Sequence, residues 1–534
     1  MAPALMVVAA LAPAVPLGVG GGIGVDAGTP VASGVDDPGL ARFYQQRLPW
    51  KPCGQDLRSR ADVEARSTQG AREPPTGPQR TECARMEVPR AYSHPGRGAI
   101  KVQLIRLRAT GPGERLGSLV LNPGGPGASG VNYLIDNASA FARLGQRYDL
   151  IGFDPRGTGR TAPVSCGSTL PPPPGGAADD TLAAKEKRLN EACGRYSGGL
   201  LPWVGTPDVA RDMDVLRAAV HDRALNYLGF SYGTKLGAVY AHQFPGRTGR
   251  MVLDGVEDPT KNTWQTALAQ ARGFQRALND FAADCVREKG CPLGTDAKRA
   301  QAQLLAWYRK LGDAPMKVAG ETLDQATYVY ALREALYRRS DWPVLRQALA
   351  RLRSGDGTGI LRLGKGGDAG DADQAGHDAF REATRGQSAP QDELPPQDQL
   401  ALRAISCRDT SERYDADDYP KARRELTRAS PLFGPDIAPT LLDCHGWPVA
   451  GDDTSRDVSA PHAPPLLLVA TTRDPATPYQ GAFHMARELG NSSVVLTYRG
   501  EGHAAYTTGD FCVQGYVNGF LLDGRMPEKG TSCG

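Results

Sequence analysis

The chain is 534 residues long, 40% apolar and 23% charged, with a mean hydropathy of −0.39. That is the profile of a soluble globular protein, organised as one large domain with an insertion or as two to three domains. A net charge of +3, with lysines and arginines that form no runs, excludes nucleic acid or an acidic membrane surface as the main partner.

Residues 1–33 are apolar and carry no charge before Asp26. Pro and Gly break the stretch too often for a stable membrane helix. It reads as the apolar part of a secretory signal, with small-residue cleavage sites after Ala27 or Ser33. The usual basic start is missing, and a disordered leader is the alternative. The chain has ten cysteines: Cys53, Cys83, Cys166, Cys193, Cys285, Cys291, Cys407, Cys444, Cys512 and Cys533. The even count, with no C-x-x-C pair, points to disulfides in an exported chain and away from zinc or redox chemistry. Pairing neighbours in order closes five short loops, Cys285–Cys291 the tightest, although sequence alone leaves the connectivity open.

Pro38–Pro89 reads as an irregular segment rich in Arg, Pro and Gly. "KVQLIRLRA" (Lys101–Ala109) alternates like an outer strand. "GSLVLN" (Gly117–Asn122) and "YDLIGFD" (Tyr148–Asp154) are short apolar runs, as in buried parallel strands. "TPDVARDMDVLRAAV" (Thr206–Val220) is an amphipathic helix with Thr206 as its cap and Pro207 in its first turn. "ALNYLGF" (Ala224–Phe230) is a buried strand, a helix follows over Thr234–Phe244, and "RMVLDG" (Arg250–Gly255) is another strand. This alternation predicts an α/β fold with a mostly parallel central sheet. The rhythm stops after Pro259. Residues 260–446 are mostly helix-like, with a Gly/Asp-rich break over Leu363–Gly376, and form a helical cap inserted between core strands. The core thus comprises residues 34–259 and 447–534. The sheet resumes with "PLLLVATTRD" (Pro465–Asp474) and "SSVVLTYRGEGH" (Ser492–His503). Gly359–Gly366 has a Gly-x4-Gly-Lys core but lacks the Ser or Thr and the leading strand of a phosphate loop.

Ser231 sits in "GFSYG", between Gly229 and Gly233, at a strand-to-helix corner. The two glycines suit a strained turn that lifts the hydroxyl out of the sheet. A serine hydroxyl is a weak nucleophile, so it needs an imidazole base and a carboxylate to orient that base. Asp474 follows one late strand and His503 the next, giving the order Ser, Asp, His of α/β hydrolases. Seven other histidines are present, but only His503 lies just beyond the last apolar strand. Asp436 and Asp443 are rival acids upstream. "NPGGPGASG" (Asn122–Gly130) follows an early strand and supplies an oxyanion hole: the amide of Gly125, with Gly124 as second choice, alongside that of Tyr232.

Together "GGPG" (Gly124–Gly127), "DPRGTGRT" (Asp154–Thr161), "GFSYGTKLGAVYAHQFP", "VLDGVEDP" (Val252–Pro259), "AISCRD" (Ala404–Asp409), "TRDPATP" and "GEGH" resemble the secreted tripeptidyl aminopeptidases of actinomycetes. These are relatives of proline iminopeptidase with an α/β-hydrolase fold, and the resemblance runs from about Pro38 to Cys533. It implies a serine exopeptidase that needs no cofactor or metal and removes tri- or tetrapeptides from free N-termini. Such an enzyme must hold a substrate ammonium, for which Glu257, Asp258 and Asp409 are the candidates. The expected protein is a monomer, secreted or associated with the cell wall. A carboxylesterase or lipase on the same triad, a proline iminopeptidase and an inert surface-interaction protein are the alternatives.

Overall fold

The computed structural model describes residues 38–54, 81–173, 181–318, 320–365 and 394–534. The leader, with its cleavage sites, and most of the Gly/Asp-rich break lie outside them. Among the described residues ten strands form one sheet: β1 (Lys51–Pro52), β2 (Thr81–Pro89), β3 (Ala99–Leu107), β4 (Ser118–Asn122), β5 (Asp149–Phe153), β6 (Leu225–Phe230), β7 (Thr248–Asp254), β10 (Leu467–Arg473), β11 (Val494–Glu501) and β12 (Ser532–Cys533). β8 (Met316–Val318) and β9 (Glu321–Leu323) make a separate hairpin. The sheet order is β1-β2-β3-β5-β4-β6-β7-β10-β11-β12, and only β1 and β3 run against the rest. This is the α/β-hydrolase arrangement.

The central strands are apolar throughout because both faces are covered. Their side chains alternate between two cores with the period of a strand. Val120, Tyr227, Met251 and Leu468 belong to one core, and Leu121, Leu228, Val252 and Leu467 to the other. A third core lies among the helices between β7 and β10, built on Phe274, Phe281, Tyr328, Leu345 and Phe433. Within that stretch, the helix Gln397–Asp409 instead packs Leu400, Ala404 and Cys407 into the sheet's core.

Two sequence expectations are corrected here. The segment ending at Pro89 is not wholly irregular, since it contains β2, and β3 is therefore an inner strand. The charges that disguise β2 are paired across strands, with Glu82 accepting from Arg106 at 2.5 Å and from Arg108 at 2.8 Å. Nor is Thr206 a cap. The helix Thr206–Ala219 is capped by Gly205, and Asp409 accepts the Thr206 amide at 2.8 Å. A carboxylate 203 residues away does what the local threonine was expected to do.

All ten cysteines are paired, each with its neighbour in sequence: Cys53–Cys83, Cys166–Cys193, Cys285–Cys291, Cys407–Cys444 and Cys512–Cys533. Such a set belongs to an oxidising compartment. Each link restricts the unfolded chain by about 2–4 kcal/mol. Reduction should therefore lower the midpoint of thermal unfolding, and mass spectrometry without reductant should find no free thiol; several free thiols would contradict the pairing.

Candidate active site

The site forms where the parallel strands end, the place such sheets offer to ligands. β6 delivers Ser231, whose φ of +55° and ψ of −125° lie outside the ordinary regions for a side-chain-bearing residue. The surroundings hold this strained turn. Ser231 donates its amide to the Asp254 carbonyl at 3.0 Å, and its own carbonyl accepts from the Thr234 hydroxyl at 2.6 Å. A Cβ on Gly233 would lie 2.8 Å from Asn122 Oδ1, and one on Gly229 would lie 2.5 Å from the Gly233 carbonyl oxygen. Both positions therefore exclude alanine without movement.

β10 delivers Asp474, which is fully buried. Its carboxylate accepts the amides of Ala476 at 2.9 Å and Thr477 at 2.8 Å, and the Thr477 hydroxyl at 3.0 Å. β11 delivers His503, whose Nδ1 stands 2.9 Å from Asp474 Oδ2. Burial opposes protonation of His503, but the Asp474 charge and its hydrogen bond outweigh burial, so the pKa lies above the ordinary 6.5. The rival acids are engaged elsewhere: Asp436 with Arg333 at 2.9 Å and Asp443 with Arg403 at 2.9 Å. Gly255, at φ +69°, leaves room for the imidazole, since a Cβ there would sit 3.0 Å from His503 Cε1.

The loop after β4 abuts the elbow. A Cβ on Gly124 would lie 2.9 Å from Ser231 Cβ and 3.1 Å from the Tyr232 nitrogen. Tyr232 opens the helix Tyr232–Gln243, so its amide has no acceptor within the helix. Gly125, Ser231 and Tyr232 line one cavity of about 880 Å³, roofed by the helices between β7 and β10.

Glu257, Asp258 and Asp409 line the same cavity but differ in their surroundings. Asp258 is bonded to Lys261, to the Thr260 hydroxyl at 2.6 Å and to His484 at 2.7 Å. Against the opposing effect of burial, these bonds hold its pKa below the usual range. Asp409 accepts from the amide and hydroxyl of Thr206 and stands 3.3 Å from Lys235 Nζ. Among the described residues, no hydrogen bond or ion pair reaches the part-buried Glu257 carboxylate; burial raises its pKa despite the Lys235 charge.

Several residues of the site escape sequence reasoning. Thr477 lies three positions after Asp474, where an Asx-type turn was a readable signal. Asp254 accepts the amides of Ala505 and Tyr506, fixing the turn after His503. Burial pushes its pKa up to about 6. Tyr337 accepts the His503 amide on its carbonyl at 2.8 Å and sets its ring edge-on to the imidazole at 5.6 Å. No local signal marks Tyr337, which reaches the site from the helical layer.

A serine on a strained elbow, with a histidine and a buried aspartate at neighbouring strand ends, makes the chain a serine hydrolase of the α/β class. Similarity to known proteins narrows the class. Residues 430–533 match the family described as TAP-like protein. Serine protease Hip1 of Mycobacterium tuberculosis is 33% identical over 474 residues, covering 84% of this chain and 87% of that one. Carboxylesterase B of the same species is 33% identical over 539 residues, 95% of each chain. Tripeptidyl aminopeptidase of Streptomyces lividans is 30% identical over 473 residues, covering 85% and 84%. The chain belongs to this tripeptidyl aminopeptidase-like family of serine peptidases.

Proposed function

We propose that the chain is an exported exopeptidase that releases tri- or tetrapeptides from free N-termini through an acyl-enzyme on Ser231. Residues 34–259 and 447–534 form its core and residues 260–446 its cap, with the leader removed on export. Ser231 Oγ attacks the scissile carbonyl carbon while His503 Nε2 takes its proton. Asp474 holds the tautomer in which Nδ1 carries the proton and Nε2 is the acceptor. The oxyanion receives the amides of Gly125 and Tyr232, each donor contributing about 3 kcal/mol in the transition state. His503 then protonates the leaving amine and the C–N bond breaks. Water, deprotonated by the same imidazole, frees the short peptide as a carboxylate and restores Ser231.

The observation that supports exopeptidase action is the Glu257 carboxylate, which lines the same cavity as Ser231 and has no hydrogen-bond or ion-pair partner among the described residues. A part-buried carboxylate in that condition carries a desolvation cost until a cation arrives. A substrate ammonium supplies one, whereas Asp258 and Asp409 already hold lysines.

The test is a paired assay of a free-amine tripeptide substrate and its N-acetylated twin. Acetylation removes the charge and should lower kcat/KM by roughly two orders of magnitude, since breaking a buried charge pair costs about 2–5 kcal/mol. Glu257→Gln should erase most of that discrimination while barely changing the rate on the acetylated twin. Equal rates on the two peptides in the unmodified enzyme would rule out amine anchoring and favour an esterase or endopeptidase. Faster release of single residues than of tripeptides would favour a proline iminopeptidase.

A further inference from the structure

The helix Thr263–Cys285 begins nine residues after β7 and carries much of the cap's apolar core on one side. Its other side meets the strand end that bears Asp474. Gly273, Arg276 and Asp280 are spaced i, i+3 and i+7, one stripe of a helix. They meet Pro475, Asp474 and Arg473 in reverse order. A Cβ on Gly273 would sit 2.2 Å from the Pro475 carbonyl oxygen, so the two backbones touch. Arg276 Nη2 donates to the Asp474 carbonyl at 2.9 Å. Asp280 accepts from Nε and Nη2 of the Arg473 guanidinium, whose Nε also stands 2.8 Å from Glu501 Oε1. Glu501 closes β11, two residues before His503. The same helix reaches the histidine by a second route. Phe274 packs edge-on to Tyr337 at 5.4 Å, and Tyr337 holds the His503 amide and ring.

We infer that this cap helix positions the acid and base of the triad, with Arg276 as a positioning residue acting through the Asp474 backbone. The inference rests on the triad reading above. The cap is then part of the catalytic frame as well as a roof. A bond to the backbone of the acid fixes where its carboxylate points. Misplacing a reacting group by about 1 Å can cost up to 10²-fold in rate.

The test compares Arg276→Met, Gly273→Ala and Arg272→Met. Arg272 is exposed on the same helix, so its replacement removes the same charge without touching the strand end. A fluorophosphonate that labels the active serine counts folded sites, and kcat is expressed per labelled site. Arg276→Met and Gly273→Ala should each lower kcat roughly 10- to 100-fold. KM should stay within about twofold, the pattern of a lost transition-state interaction. Arg272→Met should match the unmodified enzyme.

The acid limb of the pH profile separates positioning from simple charge loss. His503 is faced by Asp474, Asp254 and Glu257, and Arg276 is joined to this set through the Asp474 carbonyl. Removing a cation alone would raise the histidine pKa and move the limb up. Loosening the Asp474–His503 pair lowers it and moves the limb down, in the neutral Gly273→Ala as well. A downward limb in both variants is the expected result. Full labelling with unchanged kcat and limb, or a rise in KM with kcat unchanged, would overturn the inference while leaving the triad reading intact. An unmodified enzyme that takes no label would overturn both.

Discussion

Ser231→Ala should fold normally and lose peptide hydrolysis, with kcat down by about a millionfold, the scale seen when a triad nucleophile is removed. The fold should survive for local reasons. The strain at φ +55° comes from a backbone bearing a Cβ, and alanine keeps that Cβ. The contacts that hold the turn are made by the Ser231 amide and carbonyl, which the substitution leaves in place. The Gly125 and Tyr232 amides proposed as oxyanion donors and the cavity also remain, so a residual acceleration of roughly 10³–10⁴ over water is expected from them. The measurement is turnover of a chromogenic tripeptide substrate, with a thermal melt to confirm folding. A folded variant keeping more than a few per cent of activity would mean that Ser231 is not the nucleophile.

How much of this site could be read beforehand depends on where the partners of each residue lie. The elbow was legible because its cause is local: two glycines within two residues of a serine, a strand before and a helix after. Asp474 and His503 were legible because each follows an apolar run that stops abruptly. β2 was not legible, because the charge of Glu82 is explained only by pairing with Arg106 on the next strand and with Arg108 just beyond it. The three candidate amine ligands looked alike in sequence. They separate in the fold because Asp258 meets His484 from 226 residues away and Asp409 meets Thr206 from 203 residues away. Those contacts leave Glu257 as the one of the three without a hydrogen-bond or ion-pair partner among the described residues. The stripe on the helix Thr263–Cys285 was equally hidden. Gly273, Arg276 and Asp280 gain meaning only against the strand end that follows almost two hundred residues later. Charge that looks solvated in sequence becomes informative once the chain closes on it.

Asp474→Asn should lower kcat by about 10⁴-fold with little change in the fold, following the tautomer argument for a triad acid. The two amides of Ala476 and Thr477 need an oxygen acceptor at 2.9 and 2.8 Å, which fixes which end of the new amide group faces them. The NH₂ end is then turned towards His503 Nδ1, where it donates. Nδ1 must accept, so the ring proton moves to Nε2, and the imidazole can no longer take the proton of Ser231. The pH profile should report the same change. In the native enzyme Asp474 raises the His503 pKa, so hydrolysis is lost as pH falls through a value above the ordinary 6.5. The variant loses the carboxylate but keeps the burial that opposes protonation. Its residual activity should therefore persist to lower pH, with the acid limb displaced downward. The check is kcat/KM across the acid range for both proteins on one free-amine peptide. A variant with near-native rates, or with its acid limb moved upward, would show that another group orients His503.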